Sequence, residues 1–302
     1  MRGILLAGGS GARLRPLTSV LSKHLLPVYD KPMIYYPLSV LMSAGIRDIL
    51  LISSPEHVGA YADLLGDGRQ WGIRLEYAVQ DAPNGLAEAL LIGAPFIGRD
   101  TVCLALGDNI FHGRRLPLLL RAEAARVRGC TLFGHPVPDP ERFGVATVAP
   151  DGHVLTLEEK PAVPRSNLAV TGLYLYDANA ARYAADLVPS ARGELEITDL
   201  NLRYVREGRA RLVGLGPGAA WFDTGTDDSL LEAARFVQVL EKRRGSRVCC
   251  PEEVAFRMGF IDAARLCALG EALGDASAYG RYLREVAAGA SRRAAEAAEY
   301  YA

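Results

Sequence analysis

The apolar positions of this chain follow two rhythms. In its first third, short unbroken apolar runs alternate with stretches of helical length. Residues 3–7 (G-I-L-L-A) are such a run, cut off by Gly8 and Gly9, and predict a buried strand entering a glycine loop. Residues 32–44 have helical length and stop at Gly45, a residue suited to the left-handed turn beyond a helix. Residues 48–53, 74–79 and 101–106 repeat the strand signal, and helices are predicted at 57–65 and 86–91. Strands alternating with helices imply βαβ units and a largely parallel sheet.

The rhythm then changes. Runs at 130–135, 145–148 and 154–158, the last two flanking Asp151-Gly152, predict antiparallel strands around a hairpin turn. A further strand is predicted at 173–176, and the group is expected to extend one edge of the first sheet. A helix at 198–207, a strand at 212–215 and a long helix at 227–243 follow, and beyond Pro251 the pattern is helical only. The segment 291–302 is Ala-rich and charged, and no function is assigned to it. There is no internal repeat and no low-complexity linker.

Composition narrows the class. The 302 residues are 50% apolar, enough for one full core and a prior of roughly one to two domains. A net charge of −1 argues against a general nucleic-acid or membrane-surface binder, while leaving room for a local basic pocket. The five cysteines are odd in number and contain no C-x-x-C, and Cys249 and Cys250 are adjacent; free, mostly buried thiols in a reducing cytoplasm are expected. Neither a signal-like start nor an apolar stretch of the ~20 residues a membrane helix needs is present, so a soluble, cytoplasmic protein is expected. His57, His112, His135 and His153 show no metal-ligand spacing.

Chemistry concentrates first in L-L-A-G-G-S-G-A-R-L-R-P-L, residues 5–17. Gly8, Gly9 and Gly11 permit backbone N–H groups to approach phosphate oxygens closely. No G-K-[ST] follows, and Leu14 stands where a dinucleotide fingerprint needs its third glycine, which argues against a dehydrogenase. Asp108, in L-A-L-G-D-N, ends an apolar strand, and Asp223, in W-F-D-T-G-T, marks a strand-to-helix junction. Carboxyl ends of strands are where open α/β sheets bind ligands.

The combination of A-G-G-S-G-A-R-L-R-P-L-T, S-K-H-L-L-P-V and K-P-M-I-Y-Y-P resembles the sugar-nucleotide pyrophosphorylases, most closely those that use dTTP and glucose 1-phosphate. Matching stretches continue through A-V-Q-D-A-P-N-G-L-A-E-A, L-E-E-K-P, R-G-E-L-E-I-T-D and C-P-E-E-V-A, and cover nearly the whole chain. The resemblance implies an α/β, Rossmann-like fold of the nucleotide-diphospho-sugar transferase type. That fold has a mixed, mostly parallel sheet flanked by helices, an antiparallel sugar-binding insertion and C-terminal helices. It implies a catalytic domain over 1–240, with a nucleotide half of about 1–110 and a sugar-phosphate half of about 111–240. Residues 241–290 would form a helical appendage with a possible regulatory site between subunits, and 291–302 a tail. It implies thymidylyl transfer giving dTDP-glucose and pyrophosphate, the first step toward dTDP-deoxysugars such as dTDP-rhamnose, and a homotetramer.

Roles carried over by the resemblance are specific. Asp108 and Asp223 would hold Mg²⁺, Arg13 would face the departing pyrophosphate, Lys23 the triphosphate, and Lys160 the sugar phosphate. Gly8, Gly9, Gly11 and Ala12 would line the nucleotide. Gln80 would pair with the O4 and N3–H edge of the base, and Gly85 would leave room for the ring. A methyl group discriminates by only ~1–3 kcal/mol, so some use of UTP is expected. Asn109, Gly144, Glu159, Val170 and Tyr174 would face the sugar.

Four positions depart from the pattern. His24 replaces a glutamine near the ribose, with expected changes in ribose discrimination and a charge that depends on pH near neutrality. Phe143 lacks a hydroxyl common there. Pro117 and Pro217 replace a histidine and a basic residue of the regulatory site, where Cys250, Glu253 and Arg257 still fit, so feedback is expected to be weakened or retuned. A uridylyl- or other nucleotidyltransferase on a related sugar 1-phosphate is the nearest alternative. A non-catalytic sugar-nucleotide sensor is opposed by the presence of Arg13, Lys23, Asp108, Lys160 and Asp223 together.

Overall fold

A computed structural model describes residues 1–301, with side chains described as far as residue 290. In chain order the strands are β1 (Arg2–Ala7), β2 (Pro27–Val28), β3 (Lys31–Pro32), β4 (Asp48–Ser53), β5 (Arg74–Val79), β6 (Val102–Leu106), β7 (Asn109–His112), β8 (Cys130–Pro136), β9 (Gly144–Val148), β10 (Val154–Glu159), β11 (Leu168–Tyr176), β12 (Ala210–Gly214) and β13 (Ala220–Asp223). The helices are α1 (Tyr35–Ser43), α2 (Val58–Leu65), α3 (Glu88–Ile92), α4 (Ala94–Ile97), α5 (Leu116–Arg126), α6 (Ala180–Ala185), α7 (Ile197–Arg206), α8 (Asp227–Arg244), α9 (Pro251–Arg257), α10 (Ala263–Ala272) and α11 (Ala278–Tyr301).

One nine-stranded sheet forms the body, in the order β10-β9-β11-β6-β1-β4-β5, with β8 also pairing β11 and β12 pairing β8. β1, β4, β5 and β6 are parallel, and β11 joins β6 antiparallel, so the antiparallel group does extend the β6 edge. The unbroken apolar runs follow from burial on both faces. Leu5, Ala7, Ile49, Leu51, Cys103 and Ala105 enter one core cluster. Their neighbours Ile4, Leu6, Leu50, Ile52, Val102 and Leu104 enter the other.

Local signals act where expected. Gly45 sits beyond α1 at φ 88°, and the Asp151-Gly152 turn closes with Gly152 at φ 88° and Ala149 N–H donating to the His153 carbonyl at 2.8 Å. Thr226 caps α8 in a capping box with Ser229, and Gly245 ends that helix at φ 64°. All five cysteines are free.

The first long helix begins at Tyr35 and not at residue 32. Lys31 and Pro32 pair with β2, while the N–H groups of Met33 and Ile34 donate to the carbonyls of Leu26 and His24 at 2.9 Å. These bonds tie the segment to the preceding loop. β11 is also longer than the predicted 173–176, because residues 168–170 pair with β8. The helices α5 and α6 and the two-stranded β7·β13 ribbon were not anticipated from local pattern. The appendage packs around Cys250, Leu266, Leu283 and Ala287. The tail 291–302 continues α11 to Tyr301; its side chains and residue 302 lie outside the described residues.

Candidate active site

Strand pairing builds the centre of the site. β13 runs antiparallel to β7 with Asp223 opposite Asn109. Thr224 locks the junction, donating to the Asp108 carbonyl from its N–H at 3.1 Å and from its hydroxyl at 2.7 Å. Asp108 and Asp223, far apart in sequence, thereby become neighbours at the carboxyl end of β6. Lys23 forms a short, half-buried ion pair with Asp108. Arg13 lies against Gly225, where a Cβ would meet its guanidinium at 2.6 Å and Asp223 Oδ1 at 3.3 Å.

The two carboxyls differ in charge preference. Burial opposes ionisation of Asp108, yet the Lys23 ammonium and an Asn109 amide bond of 3.0 Å outweigh it and hold this carboxyl below the ordinary carboxylate range. Asp223 is pushed up, first by burial and then by the negative charge of Asp108, with Lys23, Arg13 and Arg142 opposing. Arg142, unremarked in the sequence, is thus one more cation facing this centre.

Beside it lies a cavity of about 280 Å³ lined by Gly8, Gly9, Lys23, His24, Gln80, Gly85, Asp108 and Glu194 among others. A Cβ on Gly8 would come within 2.9 Å of Gln80 Oε1 and push that amide aside. Gly11 accepts the Thr18 hydroxyl at 2.8 Å, which closes the loop, and Ala12 and Arg13 open the short 3-10 turn that follows.

Gln80 offers less than the expected two contacts. Its amide nitrogen donates to Glu88 Oε2 at 2.7 Å and to the Gly85 carbonyl at 3.1 Å. A carboxylate only accepts, so the nitrogen must face Glu88, and Oε1 alone is left for a ligand. Gly85 also has a different reason to be glycine. It sits at φ 109°, and a Cβ would collide with the backbone of Leu195. Leu195 itself bonds to Asn84 and Ala87 at 2.6 and 3.1 Å. The loop before α7 is thereby clamped to the loop that carries Gln80.

His24 is buried, and burial, followed by the adjacent Lys23 charge, lowers its pKa to about 3. The expected change of charge near neutrality is therefore corrected: the ring is neutral throughout that range.

Among the residues expected to face the sugar, β9·β10 pairing sets Glu159 opposite Gly144. Glu159 Oε2 accepts the Thr198 hydroxyl at 2.6 Å, and a Cβ on Gly144 would meet Glu159 at 3.3 Å and Val170 at 4.0 Å. Tyr174 is buried, and its phenol is pushed well up by burial and then by the Glu159 charge. Lys160 adopts φ 43° with Nζ 3.6 Å from Glu159 Oε1. Arg192, held by Glu196 at 2.8 Å, adds a cation near Glu159. Asn109 is committed through its oxygen, which accepts from Gly172 N–H at 3.0 Å and Trp221 Nε1 at 2.5 Å, while its nitrogen gives one N–H to Asp108 and keeps the other. Phe143 packs on Trp221 with centroids 5.1 Å apart.

The residues expected at a regulatory site do not line the cavity beside Asp108. Cys250 and Glu253 are buried against the α11 tyrosines, with Tyr279 donating to Cys250 Sγ at 3.1 Å and Tyr282 to Glu253 at 2.5 Å. Arg257 pairs with Glu253 at 2.6 Å. Pro117 lines a separate cavity of about 170 Å³ with Ser39, Arg247 and Cys249.

Two carboxylates, two cations and a glycine loop at the strand ends of an α/β sheet form a site for a nucleotide's phosphates, the equipment of a nucleotidyltransferase. The family model Nucleotidyl transferase matches residues 2–239. Glucose-1-phosphate thymidylyltransferase of Xanthomonas campestris is 57% identical over 286 residues, covering 95% of this chain and 97% of that protein. The Mycobacterium tuberculosis enzyme of the same name is 52% identical, covering 95% and 99%. A Bacillus anthracis protein solved with sucrose superposes with a TM-score of 0.72 at 42% identity, covering 78% and 94%. The chain belongs to the nucleotidyl transferase family, and within it to the glucose-1-phosphate thymidylyltransferases.

Proposed function

We propose that the chain joins dTTP to glucose 1-phosphate, giving dTDP-glucose and pyrophosphate, the entry step to dTDP-deoxysugars. The observation that carries this reading is the convergence of Arg13, Lys23, Asp108 and Asp223 beside a cavity whose far end presents Gln80.

A sugar-phosphate oxygen attacks the α-phosphorus, the new P–O bond forms, and the bond to the β-phosphate breaks with pyrophosphate leaving. Negative charges must be brought together, so positioning and neutralisation supply the catalysis. Lys23 and Arg13 hold the triphosphate and the departing pyrophosphate. Lys160, with Arg192 and Arg142 nearby, holds the sugar phosphate. Glu159 and Thr198, whose own hydrogen goes to Glu159, accept from the sugar hydroxyls. Gln80 Oε1 accepts N3–H of a thymine or uracil.

The burial of two neighbouring carboxyls, one pushed up by the other, fits a divalent cation. Asp108 and Asp223 would hold it; bound Mg²⁺ would offset charge on the phosphate oxygens. Among the described residues no third acidic, His or Cys side chain completes a metal cluster, so substrate oxygens and water would fill the remaining positions. No described helix is long and apolar enough to cross a membrane. A cytoplasmic homotetramer, with feedback by dTDP-rhamnose weakened at a site where Pro117 and Pro217 replace polar residues, completes the proposal.

The test is pyrophosphate release from glucose 1-phosphate, Mg²⁺ and each of dTTP, UTP, CTP, ATP and GTP. Preference for dTTP, then UTP, with loss on adding EDTA, is expected. Preference for a purine or for CTP would overturn the base assignment.

A further inference from the structure

Lys23 is committed within the chain to a carboxylate that the metal would also need. Its ammonium holds Asp108 Oδ2 in a short ion pair, while the Asn109 amide donates to Asp108 Oδ1 at 3.0 Å. The two ion-paired side chains are only 14% and 13% exposed. The same positive charge reaches Asp223 through space, as do those of Arg13 and Arg142. Among the described residues neither arginine is ion-paired to either carboxylate, Arg142 pairing instead with Asp139.

The Lys23–Asp108 pair is built to be exchanged. Lys23 opens a single 3-10 turn, Lys23–Leu25, and carries its charge on a flexible four-carbon stem. An ammonium has three N–H donors, and Asp108 is the one acceptor that the described residues give it. Lys23 lines the cavity of about 280 Å³ together with Gly8, Gly9 and Asp108, so phosphate oxygens entering there offer acceptors to the donors left over.

A dication approaching Asp108 alone meets resistance. Each carboxylate oxygen keeps a further lone pair, so coordination is not blocked. Either oxygen, however, places the dication beside an ammonium held on the same carboxylate, and like charges in a buried site repel with little screening. A triphosphate removes that resistance in two ways. Its oxygens accept from Lys23 and draw the ammonium off Asp108, and they supply coordinating atoms beyond the two carboxylates.

We propose that Lys23 is a built-in counter-ion that weakens metal binding at Asp108 until a nucleoside triphosphate takes its ammonium, so that metal and triphosphate each strengthen the other's binding through this one side chain. The coupling is reciprocal. This role rests on the proposed metal and nucleotide sites and adds to the grip of Lys23 on the triphosphate a second task, exerted when no nucleotide is bound.

Binding of Mn²⁺ to the full-length, nucleotide-free protein, read from the EPR signal of the free ion, tests the counter-ion. Lys23→Met should bind Mn²⁺ at least tenfold more tightly than the wild type, and adding Asp108→Asn should remove the gain. Lys23→Gln, neutral but able to hydrogen-bond, should show the same gain and serves if the Met variant does not fold. Arg13→Met and Arg142→Met remove charges that touch neither carboxylate, and each should change the affinity by less than threefold. An unchanged affinity in the Lys23 variants, or an equal gain in the arginine variants, would overturn the proposal. The second arm measures the Kd of dTTP by equilibrium dialysis in EDTA and in Mn²⁺, with no sugar phosphate. The solution affinity of Mn²⁺ for dTTP is common to all variants and cancels from the comparison. The strengthening by Mn²⁺ should be at least tenfold smaller in Lys23→Met than in the wild type, and equal strengthening would contradict the exchange. Asp108→Asn alone separates the two levels of the claim. If it keeps the full strengthening, the metal assignment fails and this role with it; if it loses the strengthening while Lys23→Met behaves as the wild type, only the counter-ion role fails.

Discussion

On the proposed assignment of Gln80 to the base, its amide is oriented by an acidic residue, Glu88. Glu88 Oε2 takes the Gln80 amide nitrogen at 2.7 Å, and Glu88 Oε1 is held by Asn84 at 2.8 Å. Replacing it in Glu88→Gln keeps the shape and removes the demand for a donor. A hydrogen bond to a charged partner contributes about 1.5–3 kcal/mol, which is the bias that keeps Oε1 toward the base. Losing it leaves only the neutral Gly85 carbonyl, at 3.1 Å, to hold the nitrogen inward, so the opposite amide orientation becomes populated. On the proposed assignment Oε1 meets N3–H of thymine or uracil in the wild type, whereas cytosine presents a lone pair at N3. The ratio of kcat/KM for dTTP over CTP should therefore fall on the order of 10- to 100-fold in the variant. Most of the change should appear in KM, because the contact is made in ground and transition states alike. Pyrophosphate release at saturating glucose 1-phosphate measures both nucleotides in one format. An unchanged ratio in a variant with wild-type melting temperature would refute this account of Gln80.

Two further outcomes follow from backbone and burial. Gly85→Ala places a Cβ into the Leu195 backbone at a φ of 109°; a stability loss of about 1–3 kcal/mol is expected, read in urea titrations, with KM raised for nucleotide and sugar phosphate together, whereas an effect on nucleotide alone would favour a base-clearance role. His24 titrates near 6.5 when unfolded and is lowered to about 3 when folded, so the unfolded state binds the extra proton and stability falls as pH drops below 6.5 toward 3. Between pH 7.5 and 5.5 the wild type should lose about 1.4 kcal/mol more than His24→Gln, and equal losses would show that the buried ring takes up its proton in the native state.

The sequence was most informative where local pattern and burial coincide. The strands β1, β4 and β6 carry apolar residues on both faces because helices cover both sides of the sheet, and Gly8 and Gly107 mark the exits of β1 and β6. The strand ending at Asp223 was expected from W-F-D-T-G-T, but its partner β7 was not, because N-I-F-H and A-W-F-D are four residues each and pair only with each other. α5 did carry a signal, Pro117 in the first turn of a Leu- and Ala-rich run. Asp108 and Asp223 are brought together by the β7·β13 ribbon, and Lys23 and Arg13 reach them from the turns after β1. Competition for hydrogen bonds was illegible: nothing in A-V-Q-D announces that Glu88 takes half of Gln80, nor in L-G-D-N that Trp221 and Gly172 occupy Asn109. His24 is displaced from its ordinary titration by burial, which a residue's type does not record.

The central claim is that Asp108 and Asp223 organise thymidylyl transfer to glucose 1-phosphate. It is tested most directly by ³¹P NMR of dTTP, glucose 1-phosphate and Mg²⁺ with the wild type, Asp108→Asn and Asp223→Asn. The wild type should form dTDP-glucose and pyrophosphate in equal amounts, and each variant should be slower by about a thousandfold or more while staying folded. Near-wild-type product formation by either variant, or no dTDP-glucose from the wild type, would contradict the account.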